Sequence, residues 1–95
     1  MTAQQIYDAV LAHVGGDQFT NWYVGITSDI QQRLFGYHSV HRTNHRWIHG
    51  TAMNSDHARS AETALLALGF DGGDGGGDVG SLNVYAFRKD AGTIR

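Results

Sequence analysis

The sequence predicts a small α/β domain of the α+β type, in which three helices flank an antiparallel sheet of about three strands. Two patterns predict this class: apolar residues recur at helical spacing in three segments, and apolar and polar residues alternate in the segments between and after them. The third observation is length, because 95 residues leave room for one domain only. We therefore expect residues 1–95 to form a single domain.

The first two predicted elements are a helix and a strand. Thr2 with Gln5 matches a capping box before a segment with apolar residues every three or four positions, which predicts a helix over residues 3–14. Two glycines follow and are expected to end this helix. Residues 18–26 then alternate between two faces, and this period of two predicts a strand.

Four more elements complete the predicted order: a helix over residues 29–37, a short strand over 46–52, a helix over 56–68 and a strand over 81–88. Ser28 and Ser55 are expected to cap the two helices. Residues 46–52 fit a histidine-rich helix nearly as well as a strand, so that alternative stays open.

A glycine- and aspartate-rich segment, GFDGGDGGGDVG, occupies residues 69–80. Its aspartates suggest calcium ligands, but the spacing is not that of the repeated calcium-binding nonapeptide. Its backbone amides suggest a phosphate cradle, but no Lys-Ser/Thr pair follows and the aspartates would repel the ligand. We interpret it as a conformationally permissive loop between the last helix and the last strand.

Charged residues are unevenly distributed along the chain. The formal net charge is −2, yet all nine carboxylates lie outside residues 30–55, a window with three arginines and four histidines. Such a window predicts a basic patch that attracts phosphate groups, with a solvated polar connector as the equally weighted alternative. The candidate nucleic-acid-binding residues within it are Arg42, Arg46, His38 and His45.

Several classes of protein are excluded by composition. Cysteine is absent, which removes disulfides, thiolate zinc sites and cysteine nucleophiles. No apolar run approaches membrane-spanning length, and the first residues lack the basic-then-apolar pattern of a secretion signal. We therefore expect a cytoplasmic protein with no membrane partner.

Three histidines recur every four residues, at His41, His45 and His49. On a helix this spacing would form a stripe able to hold zinc. No acidic residue lies nearby in sequence to complete such a zinc site. Phosphate contact and plain solvation are therefore the alternatives.

Two charged residues fall on predicted inward faces. Glu62 lies within the apolar arc of the last helix, where a carboxylate is costly unless a cation, a metal or a donor meets it. An ion pair with Arg33 is one explanation, and a divalent metal ligand is the other. Arg33 lies at the edge of an inward arc that we expect to include Tyr37, four residues later.

The segment YVGITSDIQQRLFGY resembles the second half of the GIY-YIG nuclease signature. In this resemblance Tyr23-Val24-Gly25 stands for the YIG strand, and Arg33 for the catalytic arginine of the following helix. Tyr37 stands for the tyrosine of the excision-repair branch, and Glu62 for the metal-binding glutamate of a later helix. The resemblance implies an endonuclease that hydrolyses phosphodiester bonds of DNA or another nucleic acid, with Mg²⁺ or Mn²⁺ bound at Glu62.

The first half of that signature, GIY, is not found before Tyr23. One alternative is that Asn83-Val84-Tyr85 fills the vacant place in the sheet, as if the strand order were permuted. Tyr85 would then supply the phenol that serves as proton acceptor in the family. Without that phenol, the resemblance implies a catalytically inactive module that docks a protein or nucleic-acid partner. A domain of this size would need a second copy or a fused partner for target choice.

Overall fold

The computed structural model describes residues 1–73 and 80–95. Its elements are helix α1 (Ala3–Val14), a 3₁₀ turn (Phe19–Asn21), strand β1 (Trp22–Thr27), a π-helix (Gln31–Tyr37), strand β2 (Trp47–Thr51), helix α2 (Ser55–Leu68) and strand β3 (Asn83–Arg88). The strands form one antiparallel sheet, which confirms the predicted α+β class with three helices around three strands.

The last strand in sequence is the central strand of the sheet. The strand order is β1-β3-β2, and β3 pairs antiparallel with both neighbours. In this register Tyr85 lies opposite Gly25 on one side and opposite His49 on the other. Because directly paired residues of antiparallel strands share a face, these three positions lie in one row across the sheet.

The sheet carries one apolar core on each face, since alternate residues of a strand point to opposite sides. Helices α1 and α2 pack against the first face. The core there includes Ile6, Val10, Val24, Ile26, Leu65, Val84 and Ala86. The π-helix and the loop after it cover the second face, with a smaller core made of Leu34, Val40, Tyr85 and Phe87. The candidate site belongs to this second core.

The predicted bounds of α1 are confirmed, and those of α2 need one correction. Thr2 and Gln5 form the expected capping box on α1. The cap of α2 is Asn54 rather than Ser55, because the Asn54 side chain accepts a hydrogen bond from the His57 backbone N–H at 2.9 Å. Ser55 is the first helical residue, and Gly69 ends the helix with a φ of 115°.

The predicted helix over residues 29–37 is a π-helix that begins at Gln31. Its characteristic bond runs from the His38 N–H to the Arg33 carbonyl, five residues earlier, at 3.0 Å. The predicted Ser28 cap is wrong. Asp29 acts there instead, since its Oδ1 accepts a hydrogen bond from the Gln32 backbone N–H at 3.1 Å.

The predicted strand over residues 18–26 begins later, at Trp22. A 3₁₀ turn precedes it because Asp17 accepts hydrogen bonds from the Gln18 N–H, the Asn21 amide and the Trp22 indole, which hold the chain in a turn. Arg88 also donates to Asp17 at 2.7 Å. These bonds, the one from Arg88 foremost, hold the pKa of Asp17 well below its usual value.

The remaining predictions concern residues 46–52 and 69–80. Residues 46–52 contain strand β2, so the helical alternative is wrong. Residues 74–79 of the glycine-rich segment lie outside the described residues, and its predicted role as a loop stays a prediction. None of the described helices has the length and apolar character needed to cross a bilayer.

Candidate functional site

Arg33 and Tyr37 stand side by side on the π-helix. The Arg33 guanidinium carbon lies 5.4 Å from the centre of the Tyr37 ring, and both side chains are exposed. They line an open pocket of about 360 Å³, whose other walls are Thr27, Ser28, Asp29 and Gln32. No carboxylate of residues 1–73 or 80–95 forms an ion pair with Arg33. The guanidinium is therefore available to an anion entering this pocket.

The inward residue of this segment is His38 rather than Tyr37. Tyr37 is 58% exposed, whereas His38, predicted as a surface residue that contacts nucleic acid, is 0% exposed. The pattern that indicates this is the spacing from Ile30 to Leu34 to His38, which places every fourth residue against the sheet. The predicted place of Tyr37 on the inward arc is therefore wrong.

His38 connects the aromatic residues of the site. Its ring centre lies 4.8 Å from that of Tyr23, 5.0 Å from that of Tyr37 and 5.4 Å from that of Tyr85. Nδ1 lies 2.6 Å from the Ile94 carbonyl oxygen, and Nε2 lies 2.8 Å from the Tyr85 hydroxyl. Burial, with a smaller contribution from Arg33, lowers the pKa of His38 below 6.5 despite the opposing bond to Ile94.

Tyr85 occupies the space above Gly25 on the neighbouring strand. A Cβ atom at Gly25 would lie 2.5 Å from Cζ of the Tyr85 ring and closer still to its hydroxyl. The tyrosine is 2% exposed, and this burial raises the pKa of its phenol far above the usual value. The glycine of the YVG segment is therefore required by the tyrosine that lies opposite it.

Tyr23 lies on the same face of the sheet as Tyr85, on the edge strand β1. Its ring stacks on Phe87 at 5.3 Å between centres. The Gly73 backbone N–H donates to its hydroxyl, and Gly73 is brought there by Asp71, whose backbone pairs with β1. Burial is the main reason that the pKa of Tyr23 is raised.

Glu62 is the buried carboxylate of α2, with 7% of the residue exposed. Its ion-pair partner is Arg59 rather than Arg33, with Arg59 Nη1 at 3.3 Å from Oε1. Burial raises the pKa of Glu62, and the Arg59 charge opposes that rise. Electrostatic interactions reach the Tyr85 phenol from Tyr23, Arg33, Glu62 and Tyr37. Four of the five predicted catalytic residues therefore belong to the second face of the sheet or its π-helix, whereas Glu62 comes from α2, which packs against the first face.

The donor set around Glu62 is compatible with a lightly held divalent cation. Among residues 1–73 and 80–95, no three His, Asp or Glu side chains are grouped so that they could hold a metal. Mg²⁺ commonly binds through one or two carboxylates and completes its shell with water and substrate phosphates. A single carboxylate such as Glu62 fits that mode of binding, and it does not fit a metal cage made by protein alone.

The predicted zinc stripe is not formed. His49 lies on β2, whereas His41 and His45 lie in the loop before it, so the three do not share a helix. Both ring nitrogens of His45 are engaged: Nδ1 accepts from the His41 N–H at 2.7 Å, and Nε2 donates to the Ala91 carbonyl at 3.1 Å. His45, like His38, leaves no ring nitrogen for a phosphate.

The other two candidate nucleic-acid contacts, Arg42 and Arg46, are exposed but do not form one patch. Arg42 bonds to Gln31 and stacks over Phe35, at 4.0 Å from the ring centre. Arg46 donates to the His13 carbonyl at 2.8 Å and lies over the Trp22 ring. Trp22 and Phe35 belong to the cores on opposite faces of the sheet, so the predicted basic window is divided between them.

The register of the sheet adds two residues that we had not predicted to be near the site. His49 lies directly opposite Tyr85, and Trp47 directly opposite Phe87. Both therefore stand on the face that carries Tyr23 and Tyr85, and the Trp47 and His49 rings are nearly parallel, with an interplanar angle of 10°. No local pattern in the sequence signals this placement, because it depends on β3 lying between β1 and β2.

Comparison of the chain with protein-family models, with curated proteins and with solved structures found no match in any of the three. The resemblance to the GIY-YIG signature therefore stays a prediction from the residues of the sequence.

Proposed function

We propose that the protein is a metal-dependent endonuclease that hydrolyses phosphodiester bonds in nucleic acid. The observation that supports this best is the grouping of three tyrosines around His38, beside an Arg33 guanidinium that forms no ion pair with a carboxylate of residues 1–73 or 80–95. Glu62 adds a buried carboxylate whose charge acts on the Tyr85 phenol. Phosphodiester hydrolysis uses these groups: a cation for the phosphate, phenols for the attacking water, and a carboxylate for a divalent metal.

The pocket beside the π-helix is where the scissile phosphate binds in this proposal. Arg33 has no carboxylate partner among the described residues, so its guanidinium donates two parallel hydrogen bonds to phosphate oxygens. The Tyr37 hydroxyl is exposed beside it and donates to the same group. Both interactions strengthen as negative charge accumulates on the phosphate in the transition state.

The two inner tyrosines act on the attacking water. Tyr23 is held by the Gly73 N–H, and Tyr85 by Gly25 below it and His38 beside it, so neither hydroxyl needs to reorganise. Glu62 would hold the cation in its ionised form, which burial opposes and the Arg59 charge favours. When bound there, Mg²⁺ or Mn²⁺ supplies positive charge to the phosphate and the leaving oxygen.

A cleavage assay tests the proposal. Purified protein is incubated with mixed DNA and RNA in Mg²⁺ or Mn²⁺, with chelator as the blank. We expect cleavage, and we expect Glu62→Gln and Arg33→Ala each to lower the rate by about 10²-fold or more. Asp8→Asn is the matched control, because Asp8 is an exposed carboxylate of α1 whose side chain accepts a hydrogen bond from the neighbouring Gln4 side chain. A folded wild-type protein that cuts neither polymer would overturn the proposal.

A second candidate function is a module that binds nucleic acid without cutting it. Two observations favour it: Tyr85 is 2% exposed, and Glu62 is already paired with Arg59. In that case Arg33→Ala weakens binding to a labelled oligonucleotide, measured by fluorescence anisotropy, whereas Glu62→Gln and Tyr85→Phe leave it unchanged. A protein partner or a second copy is an additional expectation for this module, and sedimentation of the purified chain with and without oligonucleotide tests it.

A further inference from the structure

Two aromatic side chains of β2 form a surface that the proposed hydrolysis does not use. Trp47 and His49 stand on the second face of the sheet, and we call their two rings the aromatic platform. The rings are nearly parallel, with an interplanar angle of 10° and centres 6.1 Å apart. Trp47 is half-buried and His49 is exposed, so the platform reaches solvent at the edge of the sheet.

The Trp47 ring is held in a fixed orientation. Its indole N–H donates to the Arg42 carbonyl at 3.0 Å. Phe35 of the π-helix supports the ring from the side, edge to face, with centres 4.9 Å apart. Because the ring is already ordered, a flat ligand that stacks on it loses little side-chain entropy.

Packing within the protein does not account for His49. Its side chain is exposed, and the aromatic contact that it makes with the described residues is the one with Trp47. The solvent face of an edge strand is commonly protected by charged side chains. Here the strand instead presents two rings side by side, as sheets that stack the bases of single-stranded RNA do.

The surroundings of the platform favour an anionic ligand. The Arg42 guanidinium lies 4.0 Å from the centre of the Phe35 ring, donates to the neutral Gln31 side chain and pairs with no carboxylate of residues 1–73 or 80–95. No Asp or Glu occurs within residues 30–55, the window that supplies the platform and its supports. Phosphates joined to flat bases are complementary to a cation beside open rings.

The π-helix connects the platform to the pocket at Arg33. Phe35 contacts Trp47 on the side of β2, whereas Arg33 and Tyr37 line the pocket beside the end of β1. The platform and the pocket therefore lie on opposite sides of one helix, which is about 10 Å wide. A strand with one phosphate in the pocket has its neighbouring nucleotides within reach of the platform.

We propose that the aromatic platform stacks unpaired bases of a single-stranded nucleic acid while Arg42 binds its phosphates. The inference rests on nucleic acid being the ligand, as in both functions proposed above. It adds the substrate class, which is a single strand or an unpaired segment. In a closed duplex the bases stack on one another, so their faces are not free to lie on Trp47 and His49.

The first test compares strands with and without bases. A labelled oligothymidine of about 12 nucleotides and an abasic strand of equal length are titrated with protein, without divalent metal, and followed by fluorescence anisotropy. We expect the wild type to bind oligothymidine about 10-fold more tightly than the abasic strand, and Trp47→Leu and His49→Ala each to lower this ratio by about 5-fold. Equal affinity for the two strands, or binding of neither, would overturn the proposal.

Two further variants serve as controls for this ratio. Tyr7→Leu is the matched one, because Tyr7 is a half-buried aromatic residue of α1 that packs against the core of the first face. It should keep the wild-type ratio. Arg33→Ala should weaken both strands by the same factor, since the pocket binds phosphate rather than a base. If Tyr7→Leu lowered the ratio as much as Trp47→Leu, the effect would be one of general stability and the platform would be ruled out.

Tryptophan fluorescence gives a readout that needs no substitution at Trp47, and it keeps the proposal testable if Trp47→Leu does not fold. The other tryptophan, Trp22, is 0% exposed, so quenching by stacked bases reports on Trp47. We expect oligothymidine to quench the wild-type emission and the abasic strand to leave it unchanged. Oligothymidine that binds without quenching would contradict stacking on Trp47.

A blunt duplex tests the substrate class. Trp47→Leu should lower the affinity for oligothymidine by about 10-fold and leave the affinity for the duplex nearly unchanged at the same salt concentration. An equal loss for both would overturn the assignment to single strands. The two proposals also fail separately. A wild type that discriminates through Trp47 but cuts nothing retains the platform and loses the nuclease, whereas one that cuts but binds both strands equally does the reverse.

Discussion

Gly25 shows how closely the residues of the candidate site depend on one another. The Tyr85 hydroxyl lies where a side chain at position 25 would be, and it reaches His38 from there. Any residue other than glycine at position 25 displaces the phenol, and the hydrogen bond to His38 is then lost. A glycine within a strand normally weakens it, so this one is explained by the close approach of a large side chain.

We therefore expect Gly25→Ala to destabilise the fold by about 3 kcal/mol, at the upper end of the usual cost of overpacking. The same substitution in a Tyr85→Ala background should cost less than about 1 kcal/mol, because the clashing ring is gone. Urea unfolding of the four proteins of this double-mutant cycle measures the difference. Gly16→Ala is the control, since a Cβ at Gly16 meets no atom within 4 Å. Equal costs in both backgrounds would contradict the clash.

At the scale of elements, local signals predict where helices and strands lie better than how they are built. The Thr2–Gln5 box and the alternation after Asn83 act over a few residues, so α1 and β3 are predicted to within two residues. The π-helix is different, because its wider turn is set by packing of Leu34 and His38 against the sheet. That packing depends on contacts distant in sequence, which is why Tyr37 was predicted on the wrong face.

The cap of α2 gives a prediction at this scale. Asn54 accepts a hydrogen bond from the His57 N–H, while Ser55 lies inside the helix. We expect Asn54→Ala to lower the free energy of unfolding by about 1 kcal/mol and Ser55→Ala to leave it within about 0.5 kcal/mol. Thermal unfolding followed by circular dichroism compares the two. A larger loss from Ser55→Ala would mean that Ser55 is the cap after all.

For the whole molecule, the decisive feature is the central position of β3. The candidate residues on β1 and the π-helix are near one another in sequence, and their proximity was predictable from the segment itself. Tyr85 and the partner of His38 at residue 94 come from the far end of the chain. The sequence alone suggested Tyr85 through the resemblance to GIY, but only the sheet order explains its pairing with Gly25 and the placement of His49.

The stability of the whole molecule should fall as the solution is made mildly acidic. Burial, followed by the charges of Arg33 and Arg46 respectively, lowers the pKa of His38 and His13 below 6.5. The unfolded chain therefore binds these protons more readily, so the stability is complete above about pH 6.5 and is lost below it, by at most about 1.4 kcal/mol per pH unit and group.

Glu62, whose pKa is raised by burial, acts in the opposite direction nearer pH 4.5, so urea unfolding is compared between about pH 7.5 and about pH 5.5. His38→Gln should reduce the fall in the free energy of unfolding between these two pH values, whereas the exposed control His49→Gln should show the same fall as the wild type. An unchanged fall in His38→Gln would mean that His38 is not the group that titrates.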